Sequence, residues 1–188
     1  AQTFNGNIVN TAANSAIPPR SPGSQGRVCT MPVDDSLFES APFDKIPATA
    51  LMARIAVVIP VYQAEQTLEP LLAELGPVLS GITDDHEVWL VDDGSTDASW
   101  AAIGRHAAAD VRVRGLRLIR NFGEHVAITA GLDRVDADYA VAMACDLQYD
   151  PAAIPRMLEA SAGGADLVLV RRMKRRDGWL KRLLARVF

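Results

Sequence analysis

The chain has 188 residues, 49% hydrophobic and 22% charged, enough for one α/β domain with a real core. No run approaches the ~18 apolar residues of a spanning helix, the start lacks the basic-then-apolar order of a secretory signal, and two cysteines (Cys29, Cys145) make no disulfide framework, so a reducing cytosol fits best. The net charge of −4 hides a +7 surplus over residues 171–188, where eight Arg and Lys meet one acid, Asp177; such a basic end suits a phosphate or lipid headgroup and not nucleic acid.

Residues 1–51 are rich in Asn, Ser, Pro, Ala and Gly, with no sustained period of 2 or 3.6. They read as a poorly ordered extension. Because residue 1 is not Met and Met52 stands directly before the first regular element, the extension is expected to be upstream or appended sequence. From Ala53 the pattern becomes regular. ARIAVVIPV (53–61) is a buried-strand run, and Glu65–Leu79 sets Leu68, Leu71, Leu72, Leu75 and Val78 at helical spacing. Glu87–Val91 is the second strand, followed by Asp92-Asp93-Gly94-Ser95; Ser95, Thr96 or Asp97 can cap a helix over Ser99–Ala109. Leu116–Arg120 is the third strand, followed by Asn121-Phe122-Gly123 and a helix from about Glu124 to Val135.

The fourth strand is the apolar run from Tyr139 to Cys145, which reads as buried on both faces and closes on Asp146, Gln148, Asp150 and Pro151. Its helix covers Ala152–Ala160, and a fifth strand, Ala165–Val170, empties into Arg171-Arg172. Five alternations of strand and helix predict an α/β fold with a doubly wound, mostly parallel sheet and right-handed crossovers. The polar clusters (Tyr62; Asp92 and Asp93; Asn121; Asp146 and Gln148; Arg171 and Arg172) each follow a strand, at the carboxyl edge where such sheets bind ligands.

That inventory of one aromatic, three or four carboxylates, an amide and paired arginines suits a divalent ion and a diphosphate. Asp146 with Gln148 offers hard oxygen ligands to Mg²⁺ or Mn²⁺; the bland alternative is that Asp146 caps the helix near Pro151. Tyr62 can stack a nucleobase. No Ser/His/Asp, Cys/His or Cys/His metal spacing is present, and of the histidines only His125, opening a helix, is near enough to consider for substrate. Other α/β readings fail on position. The loop after the first strand is PVYQAEQ, not G-x-G-x-x-G; no P-loop exists; the acidic pair follows the second strand, not the first as in a phosphoacceptor domain.

In order, VVIPVYQAEQTL, VWLVDDGSTDAS, RNFGEHVAITAGLD, DLQYDP and GADLVLVRR resemble family 2 glycosyltransferases of the nucleotide-sugar-binding GT-A fold, within them the polyprenyl-phosphate (dolichyl-phosphate mannosyltransferase-like) group. The likeness covers about 53–184 and divides the chain into the extension (1–51), a catalytic domain (52–177) and the start of a basic amphipathic helix (178–188). It implies inverting, metal-dependent transfer of a sugar from a UDP- or GDP-sugar to a polyprenyl phosphate, at the cytoplasmic face of a membrane met through the basic C-terminal segment. It implies no nucleic-acid partner and is compatible with an oligomer.

By position, the resemblance assigns Pro60 and Tyr62 to the nucleobase side and Leu90 and Asp92 to base and ribose. Cys145 and Asp146 lie on the metal motif, with Asp146 and Gln148 on metal and diphosphate. Arg172 falls on the donor phosphates; Asp93 lines the donor site by supporting its loop. Catalysis rests on Asp146 and Arg172, with no base nominated, because a phosphate monoester with a second pKa of ~6 is already mostly dianionic. Such an acceptor needs positioning and charge neutralisation.

Two positions depart from the family pattern. Its Asp-x-Asp metal motif reads Ala144-Cys145-Asp146, which predicts weakened metal binding, and an acid expected at 64 is replaced by Ala64 with Glu65 following. Alternatives to the lipid acceptor are a saccharide or other hydroxyl, or a degenerate nucleotide-binding module without turnover. The Arg/Lys surplus at 171–176 either receives the acceptor phosphate or is a solvated loop. Trp179–Phe188 sets apolar residues on one helical face, suited either to an anionic membrane surface or to the domain's own core. The family continues past this point, so the chain is expected to be a fragment.

Overall fold

In chain order, the computed structural model contains β1 (Val28–Val33), β2 (Ile55–Val61), α1 (Leu68–Ile82), β3 (His86–Asp92), α2 (Ser99–Ala109), β4 (Val113–Arg117), α3 (Glu124–Leu132), β5 (Tyr139–Ala142), a 3-10 turn (Pro151–Ala153), α4 (Ile154–Ala162) and β6 (Leu167–Arg172). It describes residues 28–33, 52–147 and 149–172. The expected helix at 179–188, the basic segment beyond Arg172 and Gln148 lie outside the described residues.

All seven residues of β2 are buried, as a central strand covered on both faces requires. It pairs in parallel with β3 on one side and β5 on the other, and β4 adds to β3, giving the order β4-β3-β2-β5. Odd-numbered β2 residues Ile55, Val57, Ile59 and Val61 meet the α1 stripe Leu68, Leu71, Leu75 and Leu79, with Ile103 of α2 and Ile154 and Leu158 of α4. Each of those leucines is fully buried, contributing roughly 2 kcal/mol. On the other face Val58 and Val91 pack against Ala127 of α3. That helix sits so close that a Cβ on Gly131 would lie 2.4 Å from Val58 Cγ1. The α/β architecture with a mostly parallel sheet is as the sequence predicts.

Three details differ. The fifth strand does not join the four-stranded sheet: β6 pairs in parallel with β1, which falls inside the stretch read as featureless. With no helical or alternating period, Val28–Val33 carries no local strand signal, and its partner lies 139 residues away in the chain, Val28 facing Leu167. The third strand runs three residues earlier than expected. Its register places Arg117 opposite Asp92, and Leu118 N–H donates to the Asp92 carbonyl (2.9 Å), after which the chain leaves the sheet and Ile119 is 93% exposed.

The fourth strand is also not buried on both faces. Among the described residues it pairs only with β2, at a sheet edge: Val141, Met143 and Cys145 turn inward while Ala140 and Ala142 are exposed. Its inward residues therefore alternate along the run, as in a half-buried strand.

Candidate active site at the carboxyl edge of the sheet

The acidic pair ending β3 is set by two different needs. Asp92 is fully buried; its Oδ1 accepts from Ser95 N–H (3.0 Å), and Arg117 Nε lies 3.0 Å from Oδ2 at ion-pair distance without hydrogen-bond alignment. Arg117 Nη2 also donates to the Ser95 carbonyl (3.3 Å), and its guanidinium lies 5.5 Å from the centre of Trp100. Asp93, 2% exposed, accepts from Phe122 N–H (2.8 Å) and Gly123 N–H (2.9 Å) across the loop after β4. Its carboxylate is thus spent on holding that loop. Gly94, at φ 71°, lets the two loops touch: a Cβ there would lie 2.5 Å from the Arg120 carbonyl carbon.

The loop after β2 is lashed to the same turn. Gln63 N–H donates to Ser95 Oγ (3.1 Å), Ala64 N–H to Ser99 Oγ (2.9 Å), and Ala98 N–H to Glu65 Oε2 (2.8 Å). Glu65 therefore serves the start of α2, and Ala64, 6% exposed, packs inward. Asp97 Oδ1 accepts from Ser99 N–H (3.1 Å), the nearest thing to the predicted cap. Partial burial works against its ionisation, but hydrogen bonds from the Ser99 hydroxyl and from Ser99 and Glu65 N–H outweigh it and hold the carboxyl below its usual range.

On the β5 side, burial pushes the Cys145 thiol up, countered in part by Tyr62 N–H directed at the sulfur; the Asp146 and Glu124 charges raise it further. The backbone of Tyr62 thus approaches the half-buried thiol at the exit of β5. A thiol held protonated packs well but is no anionic ligand. Tyr62 is 47% exposed and Asp146 is exposed. Asp150, not Asp146, caps the following turn, accepting from Ala152 N–H (2.8 Å). Gln63 (φ 50°) and Leu147 (φ 57°), each next to one of these residues, sit in the left-handed region at about 1 kcal/mol apiece.

The loops after β2, β3 and β4 thus form one connected edge, holding Tyr62, Asp92, Asp93 and Asn121, and β5, parallel to β2, runs toward the same edge, with Asp146 four residues beyond its end. Pro60 and Leu90 lie beneath it, buried, with Leu90 in the main core. Leu90 and Asp92, expected on base and ribose, are inaccessible here; they form the floor of the edge, not its surface. Arg172 ends β6, outside the four-stranded sheet, and its side chain lies outside the described residues, so the sheet order does not bring it to this edge. The sequence reading missed Arg117. Its signal is the register, a cation ending one strand beside an acid ending the next. Of the histidines, His86 is buried with Nδ1 on the Thr83 carbonyl (2.8 Å), His106 faces Glu69 (3.2 Å), and His125 is exposed at the start of α3.

Of the carboxylates and aromatics that the sequence assigns to the site at this edge, Asp146 and Tyr62 are the exposed ones. Among the described residues no three His, Cys, Asp or Glu gather as a metal cage. A single oxygen-donor carboxylate at an open edge nevertheless suits Mg²⁺ or Mn²⁺, which keep waters and take substrate phosphates. A cavity of about 270 Å³, bordered by His86, Val113 and Arg112, lies at the opposite edge and contains none of the predicted site residues.

The family model for Glycosyl transferase family 2 matches residues 56–187. An undecaprenyl-phosphate 4-deoxy-4-formamido-L-arabinose transferase from Aeromonas hydrophila is 37% identical over 134 residues, and one from Edwardsiella ictaluri 39% over 135; each match covers 71% of this chain. The chain spans 41% of the length of these relatives. A mannosyltransferase from Pyrobaculum calidifontis in complex with GDP-Man and Mn²⁺ superposes with a TM-score of 0.52 at 21% identity, covering 63% of this chain and 35% of that one. Glucosyl-3-phosphoglycerate synthase from Mycobacterium tuberculosis, with Mn²⁺ and UDP-glucose, gives 0.54 at 20%, covering 74% and 49%. At such identities the likeness shows the fold, a GT-A-like α/β arrangement.

Proposed function

The chain belongs to glycosyl transferase family 2, and we propose that it moves a sugar, with inversion, from a UDP- or GDP-sugar to a polyprenyl phosphate at the cytoplasmic face of a membrane. The observation that supports this reading is the carboxyl edge of the parallel sheet, where the exposed Tyr62 and Asp146 follow β2 and β5 and the buried Asp92–Asp93 pair follows the neighbouring β3. The names of the two relatives supply the acceptor class, and the ligands in the two superposed structures supply the donor class.

In this reading Tyr62 stacks the nucleobase, and Pro60, Leu90 and Asp92 fix the shape of the floor beneath it. Asp93 holds the Phe122–Gly123 backbone, so the β4 loop is preset before the donor arrives. Asp146, with Gln148 as second oxygen donor, would hold Mg²⁺ or Mn²⁺; Arg172, which the resemblance assigns to the donor phosphates, would have to reach them from the end of β6, outside the four-stranded sheet. When bound, the ion supplies Lewis-acid neutralisation of charge on the departing nucleoside diphosphate. The acceptor phosphate is its own nucleophile, so no residue is assigned as base.

Ala144, standing where the family has a carboxylate, also favours a second reading: a nucleotide-binding module without turnover. One experiment separates the two. Sugar-labelled UDP- and GDP-donors are incubated with undecaprenyl phosphate, Mn²⁺ and a version of the protein as long as its relatives. Labelled lipid is the expected product; retained nucleotide binding with no labelled lipid and no labelled saccharide would overturn the transferase reading.

A further inference from the structure

The loop from Leu118 to Gly123 presents apolar surface that it has no freedom to hide. Ile119 is 93% exposed, Phe122 42% and Val126, in the first turn of α3, 46%. A free loop would turn such side chains inward, but this one is pinned at both ends and in its middle. Leu118 N–H is held by the Asp92 carbonyl, Phe122 and Gly123 N–H by the buried Asp93 carboxylate, and the Arg120–Asn121 backbone rests on Gly94. The side chains are therefore displayed.

Their chemistry is that of an interface. The Arg120 guanidinium sits 4.5 Å from the centre of the Phe122 ring, an aromatic body with a cation at its rim. An aliphatic tip beside such a pair matches the headgroup boundary of a bilayer, with apolar groups among acyl carbons and guanidinium at lipid phosphate. The loop shares the carboxyl edge with Tyr62 and Asp146.

We propose that the Ile119–Phe122 loop, with Val126, docks this edge onto an anionic lipid surface. The inference rests on the reading that the acceptor is a lipid phosphate, which would then be met at the plane of its own headgroup. No spanning helix is required for this contact, and among the described residues no helix is long and apolar enough to cross a membrane.

The test is flotation of the 188-residue chain with vesicles of phosphatidylcholine alone or of equal parts phosphatidylcholine and phosphatidylglycerol. Wild type is expected to float with the anionic vesicles, and Ile119→Asp to lower the partition coefficient about tenfold. Val111→Asp, another exposed aliphatic (86%) but next to α2 at the opposite edge, is expected to change nothing. Because Ile119 is almost wholly exposed, Ile119→Asp should keep the wild-type circular dichroism and melting temperature. Equal flotation of Ile119→Asp and wild type, or equal losses in the two Asp variants, would overturn the proposal, as would wild type failing to float. Transfer to a short, water-soluble isoprenyl phosphate without vesicles is read separately on the longer wild-type protein; its failure would count against the transferase reading and leave the flotation result intact.

Discussion

Arg117 and Asp92 face each other across the ends of β4 and β3, and the acid is fully buried while the cation is 46% exposed. Removing the cation leaves a buried carboxylate with one hydrogen bond, so Arg117→Ala is expected to cost about 2 kcal/mol, discounted from a fully buried pair for solvent screening. The measurement is the urea midpoint at unchanged slope, with Arg117→Lys recovering part of the loss. An unchanged midpoint for Arg117→Ala would show the pair to be incidental. At the other edge, hydrogen bonds from the Arg112 side chain and backbone pull the Asp110 carboxyl down to about 2. Since the folded value lies below the unfolded one, the stability it contributes is present above pH ~4 and lost as pH falls towards 2. Titration of the Asp110 carboxyl by NMR should give that low midpoint, and Arg112→Ala should return it to the ordinary range. Identities of edge residues were legible in the sequence because each follows an apolar run. Their accessibility was not: Leu90 and Asp92 look as available as Tyr62 until the core closes over them.

Elements with a strong period came through well. Ser99–Ala109 is helical as expected, and the α1 leucines at 68, 71 and 75 face the core. Where period was weak, tertiary pairing decided: β4 slid to match the end of β3, and β1 exists only because β6 pairs with it. The turn after β3 depends on Gly94, for which both φ and space exclude a side chain. Gly94→Ala is expected to cost about 3 kcal/mol or more, because the added Cβ meets backbone instead of a flexible side chain. Gly104→Ala, in mid-α2 with nothing within 4 Å, should be neutral or stabilising by up to about 1 kcal/mol. Thermal unfolding of both variants checks this; a Gly94→Ala melting temperature equal to that of Gly104→Ala would contradict it.

For the molecule as a whole, parallel pairing brings four strand ends to one edge, and the carboxylates, Tyr62 and the Ile119–Phe122 loop follow from that single fact. The proposed binding of a nucleoside diphosphate at this edge, through a divalent ion held at Asp146, is the step on which transfer depends. It is tested most directly by calorimetric titration of UDP and of GDP into wild type and Asp146→Asn, each with and without Mn²⁺. One of the two nucleotides should bind wild type more tightly with Mn²⁺ than without, and Asp146→Asn should abolish that difference. Metal-enhanced binding that survives unchanged in Asp146→Asn, or no binding of either nucleotide to wild type, would contradict this mode of donor binding.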